Sequence, residues 1–126
     1  MKQLPVTTIV GRNIMQMNYT RTEGMMVVSI IGRLDTRTTP EFIKCSAGWP
    51  VEPMVLDLTG LEYLSSTGLR ALLQLKRDFT RKGVAVVIAG SGGLVDKVLR
   101  MSGFEQVFTL YPAVPDAIVG VASGSA

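Results

Sequence analysis

Short β-branched apolar runs alternate with amphipathic segments along most of this chain, and this alternation limits the folds that it can adopt. Runs of Val, Ile, Leu and Met that are apolar on both faces are typical of buried strands. The predicted strands cover residues 25–31, 54–56, 84–89 and 107–110. The predicted helices cover residues 40 to about 48, 68–82, 94–101 and 116–121.

The alternation favours an α/β fold with a mixed, mostly parallel β-sheet covered by α-helices, because strands joined by helices form right-handed crossovers. Residues 17–21 alternate weakly, and Glu23-Gly24 is a turn signal, so an antiparallel pair is predicted at the N-terminal edge. The predicted organisation is an N-terminal extension (1–16), one domain (17–122) and a flexible tail (123–126).

These patterns also predict the structural roles of several single residues. Thr39, followed by Pro40, is predicted to cap its helix. In the helix over residues 94–101, an apolar stripe that includes Leu94 is predicted to face inward. The methionines at apolar positions are interpreted mainly as core residues, and an exposed subset would suit an adaptable partner surface. These methionines are Met25, Met26, Met54 and Met101.

The chain contains no histidine and one cysteine, Cys45. These counts exclude a Ser-His-Asp triad, a Cys-His dyad, an imidazole metal ligand and an internal disulfide. Cys45 is predicted to be a partly buried small hydrophobe in a helix. The acids Asp35, Asp57 and Glu62 come from three different loops and are interpreted as surface acids, so no metal or cofactor is predicted.

The loop at residues 90–93 (Gly-Ser-Gly-Gly) lies where a dinucleotide fingerprint would sit, between a strand and a helix. The position of the third glycine is occupied by Val95, so we interpret the loop as a tight turn.

Charge and hydropathy give further exclusions. Thirteen Lys and Arg against ten Asp and Glu leave a net charge of +3. The basic residues gather only between Arg70 and Lys82, which we interpret as the solvated face of a helix rather than a nucleic-acid patch. No apolar run approaches the about 20 residues of a membrane span. We therefore expect a cytoplasmic protein that binds no nucleic acid and does not insert into membranes.

Three consecutive hydroxyl residues, Ser65, Ser66 and Thr67, stand at the predicted start of the main helix. Capping a free backbone N–H explains one hydroxyl but not three. The helix N-terminus favours negative charge, so it would also accommodate a phosphate on Ser66 or Thr67. From the residues alone, both capping and phosphorylation stay open.

A set of short motifs occurs in a fixed order between residues 17 and 121, namely Gly32-Arg33-Leu34-Asp35, Val55-Leu56-Asp57-Leu58, Tyr63-Leu64-Ser65-Ser66-Thr67-Gly68-Leu69-Arg70, Val86-Val87-Ile88-Ala89-Gly90 and Ser102-Gly103-Phe104. The ordered set resembles the STAS domain, a family named for sulfate transporters and anti-sigma factor antagonists. The resemblance implies a regulatory binding module rather than an enzyme.

Stand-alone members of the family are anti-sigma factor antagonists, and this chain resembles them. The resemblance implies a partner that is both an anti-sigma factor and a serine/threonine kinase, with a phosphatase as a further candidate partner. The unphosphorylated antagonist would bind the anti-sigma factor and release the sigma factor, and phosphorylation would end the complex. A non-switching scaffold and a nucleotide- or lipid-sensing module are the alternatives.

By position, the phosphoacceptor of the family falls on Thr67, with Ser66 and Ser65 as alternatives. The chain departs from the family pattern in having Ser65 where an aspartate is usual and threonine where serine is usual.

The resemblance also implies a partner-binding surface. It contains the hydroxyl loop with Gly68, the exposed side of the following helix with Arg70, and Asp35, which would orient the hydroxyl or contact the kinase. Asp57 is a further candidate, although capping of the turn that follows its strand explains this residue equally well.

Overall fold

The computed structural model describes residues 6–10 and 15–124. The strands are β1 (Val6–Val10), β2 (Met15–Thr22), β3 (Met25–Leu34), β4 (Met54–Asp57), β5 (Leu61–Leu64), β6 (Val86–Ala89) and β7 (Leu110–Tyr111). The helices are α1 (Thr39–Ser46), α2 (Ser66–Arg81), α3 (Gly93–Met101) and α4 (Val114–Ala122), with a 3₁₀ helix at Phe104–Gln106. The remaining parts of the predicted extension and tail, residues 1–5, 11–14 and 125–126, lie outside the described residues.

The strands form one mixed sheet in the order β1-β2-β3-β4-β6-β7, with β5 paired to β3. The pairs β1–β2 and β2–β3 are antiparallel, and the pairs of β3 with β4 and β5, of β4 with β6 and of β6 with β7 are parallel. Glu23 and Gly24 join β2 to β3 with positive φ values of 51° and 77°, as a type I′ hairpin turn requires. The mixed, mostly parallel sheet confirms the predicted fold class.

The sheet has helices on both faces. α1, α2 and α3 cover one face, where Phe42, Leu72 and Leu99 pack into the larger apolar cluster. α4 covers part of the other face, where Ala117 packs against strand residues such as Val55. Successive strand residues point to opposite faces, which explains why the central strands are apolar throughout.

The structure adds a strand, β5, between the predicted strand over residues 54–56 and the predicted helix over residues 68–82, where the sequence predicts neither strand nor helix. The chain leaves β4 in a turn and then continues as β5 beside the last part of β3. Leu58 N donates to Ala89 O on β6 at 2.9 Å, and Gly32 N on β3 donates to Gly60 O at 2.9 Å. The turn therefore separates the pairing of β4 with β6 from the pairing of β5 with β3. A four-residue strand is too short to show an alternating pattern, which explains why the sequence predicts no strand there.

The last strand, predicted over residues 107–110, is present, but it is shorter and begins later in the chain. A 3₁₀ helix precedes it, Val107 is exposed, and β7 contains only Leu110 and Tyr111. Phe104 and Phe108 are buried and their rings stack with centroids 5.6 Å apart. The chain buries this aromatic pair through a helical turn and not through the extended backbone that the β-branched pattern predicts.

Two residues predicted to be buried are exposed: Leu94 is 56% and Met101 is 81% exposed. Val95 and Leu99, which are four residues apart, form the buried stripe of α3, and Val98 packs partly against the same cluster, whereas Leu94 and Met101 point away from it. The other three apolar-position methionines are buried as predicted. Cys45 is half-buried on α1, as predicted, with its thiol donating to Glu41 Oε2 at 3.4 Å.

The basic segment of α2 is only partly the solvated face that the sequence suggests. Lys76 is half-buried, its ammonium donates to Val86 O at 3.2 Å and lies 5.6 Å from the centroid of the Phe108 ring. Burial lowers the pKa of Lys76. Lys76 therefore belongs to the packing between α2 and the sheet, whereas Arg70, Arg77, Arg81 and Lys82 are exposed.

Candidate functional site

The ends of two neighbouring strands bring the predicted site residues together. β3 ends at Leu34 and β5 ends at Leu64, and these two residues pair in the parallel register. Leu34 O accepts a hydrogen bond from Ser65 N at 3.0 Å. Because Asp35 follows Leu34 directly, the Asp35 loop and the start of α2 lie side by side at the carboxyl edge of the sheet, where ligands and partners of such sheets commonly bind.

Ser65 is the residue that caps α2. Its backbone is extended (φ −88°, ψ 170°), and its hydroxyl accepts a hydrogen bond from Gly68 N at 3.1 Å. The helix begins at Ser66, two residues before the predicted start. Serine and aspartate are about equally good N-caps, so the departure of Ser65 from the family pattern preserves the start of the helix.

The cap leaves two hydroxyl residues in the first turn of α2. Ser66 is exposed and Thr67 is half-buried. The backbone N–H groups of a first helical turn have no partner within the helix, and the helix dipole places partial positive charge there. The surroundings of both hydroxyls therefore favour an added negative charge.

Gly68 allows α2 to approach β3 closely. A Cβ atom at this position would lie 2.7 Å from Leu34 O and 3.0 Å from Leu34 Cγ and Leu64 Cδ1. The first of these atoms belongs to the backbone of a central strand, so it has little freedom to move. The position of the hydroxyl loop against the sheet consequently depends on the absence of a side chain at residue 68.

The Asp35 carboxylate accepts hydrogen bonds from its own loop and from the end of β3. Oδ1 accepts from Arg37 N at 3.0 Å and Thr38 N at 3.2 Å, and Oδ2 accepts from Arg33 Nε at 3.3 Å. Thr38 occupies the cap position of α1, so Thr39 is the first helical residue rather than the predicted cap. Thr39 Oγ1 donates to Asp35 O at 2.6 Å. Asp35 therefore organises the start of α1 beside the hydroxyl loop.

Burial raises the pKa of Asp35, but the hydrogen bonds from Thr38, Arg37 and Arg33 together outweigh burial and leave the pKa below the ordinary value of 3.8. A carboxyl whose pKa is lowered by folding stabilises the fold above its unfolded-state pKa and loses this contribution as the pH falls through the folded-state pKa.

We expect Asp35→Asn to lower the free energy of unfolding by about 1 kcal/mol at pH 7, because the charge-assisted bonds weaken. The deficit relative to the unmodified protein should shrink as the pH falls below the ordinary aspartate value of 3.8. Urea unfolding from pH 7 to pH 2.5 measures this difference. A deficit that stays constant over the whole range would contradict the assigned role of the carboxylate charge.

Arg33 and Tyr63 flank the same edge, and sequence reasoning assigned neither of them a role. They face each other in the β3–β5 register, and the Arg33 guanidinium carbon lies 4.2 Å from the centroid of the Tyr63 ring. The Arg33 side chain is 49% exposed. The signal that would have identified the pair is the strand register, which depends on recognising β5.

Asp57 is bound to the turn that follows its strand. Oδ1 accepts from Thr59 N at 3.0 Å and from Thr59 Oγ1 at 2.6 Å, and Oδ2 accepts from Ser29 Oγ at 2.8 Å. The alternation along β4 places this side chain with Val55, on the face that α4 covers. These contacts favour the turn-capping interpretation of Asp57 over a position beside Thr67.

The glycine-containing loop at residues 90–93 forms a tight turn between β6 and α3. Gly90 has a φ of 76°, and a Cβ there would collide with Thr59 Oγ1. In the part of the chain that the structure describes, no group of three or more Cys, Asp or Glu residues could hold a metal ion. None of the helices within the described ranges is both long enough and apolar enough to cross a membrane.

Arg70 is exposed on α2, three residues after Thr67 and four after Ser66. Residues with this spacing lie on one side of a helix, within reach of one another. The structure therefore places three of the predicted partner-binding residues, Ser66, Thr67 and Arg70, on neighbouring surface beside the Asp35 loop.

Comparison with known proteins relates this geometry to a family. Residues 16–117 match the STAS domain. The chain is 25% identical over 104 residues to the anti-sigma-F factor antagonist RsfB of Mycobacterium tuberculosis, an alignment that covers 80% of this chain and 84% of the relative.

Two of the solved structures that share the fold are anti-sigma factor antagonists. The structure of an anti-sigma factor antagonist from Mycobacterium paratuberculosis superposes with a TM-score of 0.74 at 23% identity, covering 90% of this chain and 98% of the other. The anti-sigma factor antagonist SpoIIAA in its unphosphorylated form superposes with a TM-score of 0.68 at 16% identity, covering 86% and 96%. The family match extends over most of the sequence, and the order of strands and helices agrees with it, so this chain belongs to the STAS domain family.

Proposed function

We propose that this protein is an anti-sigma factor antagonist that binds an anti-sigma factor with serine/threonine kinase activity and is released when that kinase phosphorylates Thr67. The observation that carries the proposal is the start of α2, where Ser65 caps the helix and the Thr67 hydroxyl, which does not form the cap, lies in the first turn at the carboxyl edge of the sheet. The relative named as an anti-sigma-F factor antagonist supports the same role. We expect a protein with this role to act in the cytoplasm.

Among the three hydroxyls, Thr67 is favoured as the acceptor. The Ser65 hydroxyl already caps the helix through Gly68 N, so a phosphate there would disturb the cap. Ser66 is exposed but stands one residue before the position that matches the acceptor of the family. Thr67 lies on the first turn of α2, and its hydroxyl is not needed for the cap.

A phosphate on Thr67 would act on the partner rather than on the fold. It adds about −1.5 to −2 charges at a helix N-terminus, where the dipole and free N–H groups stabilise negative charge. In a fitted interface the same charge would have to be desolvated or would repel acidic groups of the partner. The switch would thus change affinity while the antagonist stays folded.

The division of chemistry in this proposal agrees with the composition of the chain. The antagonist supplies an acceptor hydroxyl and a recognition surface, and the partner supplies ATP and the catalytic groups. The protein would then act as a binding module rather than as an enzyme, and a separate phosphatase would reset it.

Incubation with the cognate anti-sigma kinase and ATP, followed by peptide mass spectrometry, tests the proposal. We expect one phosphate, on Thr67, and incorporation at background level in Thr67→Val, which keeps the side-chain shape but removes the hydroxyl. Ser66→Ala should still accept one phosphate on Thr67 and serves as the matched control. A kinase that binds the protein tightly without transferring phosphate would point instead to a non-switching STAS scaffold.

A further inference from the structure

A groove of about 270 Å³ lies between α1, the turn that follows α1, and α2. Trp49, Leu75 and Phe79 contribute to its apolar lining. Ile43 and Val51 stand at its rim and are 53% and 46% exposed. Exposed large apolar side chains beside an apolar concavity are typical of surfaces that bind another molecule.

The wall of this α1–α2 groove is fixed in position by aromatic packing. The Trp49 ring makes edge contacts with Phe42, at a centroid distance of 5.7 Å, and with Tyr19, at 5.6 Å. Phe42 is fully buried, so these contacts connect the groove wall to the core. The groove is therefore formed before any partner arrives, which lowers the entropic cost of binding.

The groove is continuous with the surface around Thr67. Thr67, Ala71, Gln74 and Asp78 follow one another at intervals of four, three and four residues, and therefore lie along one side of α2. The last three line the groove. At 1.5 Å per residue, Gln74 stands about 10 Å along the helix axis from Thr67. A protein that covers Thr67 could therefore reach the groove within the same interface.

The charged side chains at the groove carry a small positive excess. Lys82 and Asp78 line the groove, and Arg81 is exposed beside Asp78 on α2. The Asp78 carboxylate, the acid of the lining, is already bonded by Gln74 Nε2 at 2.9 Å and by the Arg81 guanidinium at 3.2 Å. The surface therefore complements a segment that carries apolar side chains next to acidic ones.

We infer that the α1–α2 groove is a second docking point for the anti-sigma partner and takes an apolar side chain of that partner flanked by acidic residues. The inference rests on the proposed function. A stable interface buries about 800 Å² on each side, which is more than a loop of three hydroxyl residues presents. The groove supplies a concave apolar contact of the kind that dominates binding energy at interfaces.

The test measures the affinity of each variant for the purified anti-sigma factor that binds the unmodified protein. Ile43→Asp and Val51→Asp should each weaken binding about 30-fold, as expected for loss of a central apolar contact. Val119→Asp is the matched control, because Val119 is 69% exposed on α4, which lies on the other face of the sheet. Its affinity should stay within about twofold, the range expected for a surface change outside an interface.

Kinase assays add a second readout. Loss of a docking contact should raise the KM for phosphorylation of Thr67 and leave kcat unchanged, because docking stabilises the bound substrate and the transition state equally. Circular dichroism and a thermal scan of each variant show whether the fold is kept, and Val51, which lies in a turn, provides a second position if Ile43→Asp disturbs α1.

Unchanged affinity in both groove variants, with Thr67→Glu still defective in binding, would overturn this inference and leave the proposed function intact. A protein that binds no anti-sigma factor at all would overturn the proposed function and this inference together.

Discussion

Replacing Thr67 with glutamate should weaken binding to the anti-sigma partner at least about 100-fold, which corresponds to about 2.7 kcal/mol. The carboxylate would sit on the first turn of α2, on the surface assigned to the proposed interface. Within the protein that position tolerates negative charge because of the helix dipole. In the complex the carboxylate would lose its water without gaining an oppositely charged group, which typically costs several kcal/mol.

Thr80→Glu is the matched control for this experiment. Thr80 is exposed on the same helix, 13 residues further along, so the change in composition and net charge is identical. Titration calorimetry of both variants against the same anti-sigma factor gives the two affinities. Equal affinities for Thr67→Glu and Thr80→Glu would show that the start of α2 lies outside the interface.

Replacing Gly68 with alanine should destabilise the fold by about 2–3 kcal/mol, although alanine is the better helix former by about 1 kcal/mol. The added Cβ would lie 2.7 Å from Leu34 O, closer than such atoms approach in folded proteins, so α2 would have to move away from β3. The sign of the effect is therefore opposite to the one that helix propensity predicts.

Gly48→Ala provides the comparison, because the nearest atom to a Cβ at residue 48 is Cys45 O at an ordinary 3.7 Å. Urea unfolding of both variants measures the difference, and we expect Gly48→Ala to change the stability by no more than about 0.5 kcal/mol. A Gly68→Ala protein as stable as the unmodified one would contradict the close approach of α2 to β3.

The parts of the fold that sequence reasoning recovered are those with long or distinctive local patterns. The 16-residue helix α2 has a clear apolar stripe, and Glu23-Gly24 defines its hairpin without help from distant residues. β5 and β7 contain four and two residues, too few for periodicity to identify them. Leu94 lies on α3 and is exposed, although the apolar pattern of this helix predicted that it faces inward.

The site shows the same limit. Three adjacent hydroxyls are equally plausible caps in sequence, and only the backbone position shows that Ser65 accepts the bond from Gly68 N. The requirement for glycine at residue 68 comes from Leu34, which is distant in sequence. The packing of Arg33 on Tyr63 likewise depends on a strand register. Sequence placed the candidate residues at the start of α2, and tertiary contacts show which of them caps the helix.

The central claim is that one phosphate on Thr67 switches partner binding. The most direct measurement is the affinity of the purified anti-sigma factor for the same protein before and after stoichiometric phosphorylation, with the folded state of both forms checked by circular dichroism. We predict a loss of affinity of at least about 100-fold with an unchanged fold. Equal affinity of the two forms would contradict the claim.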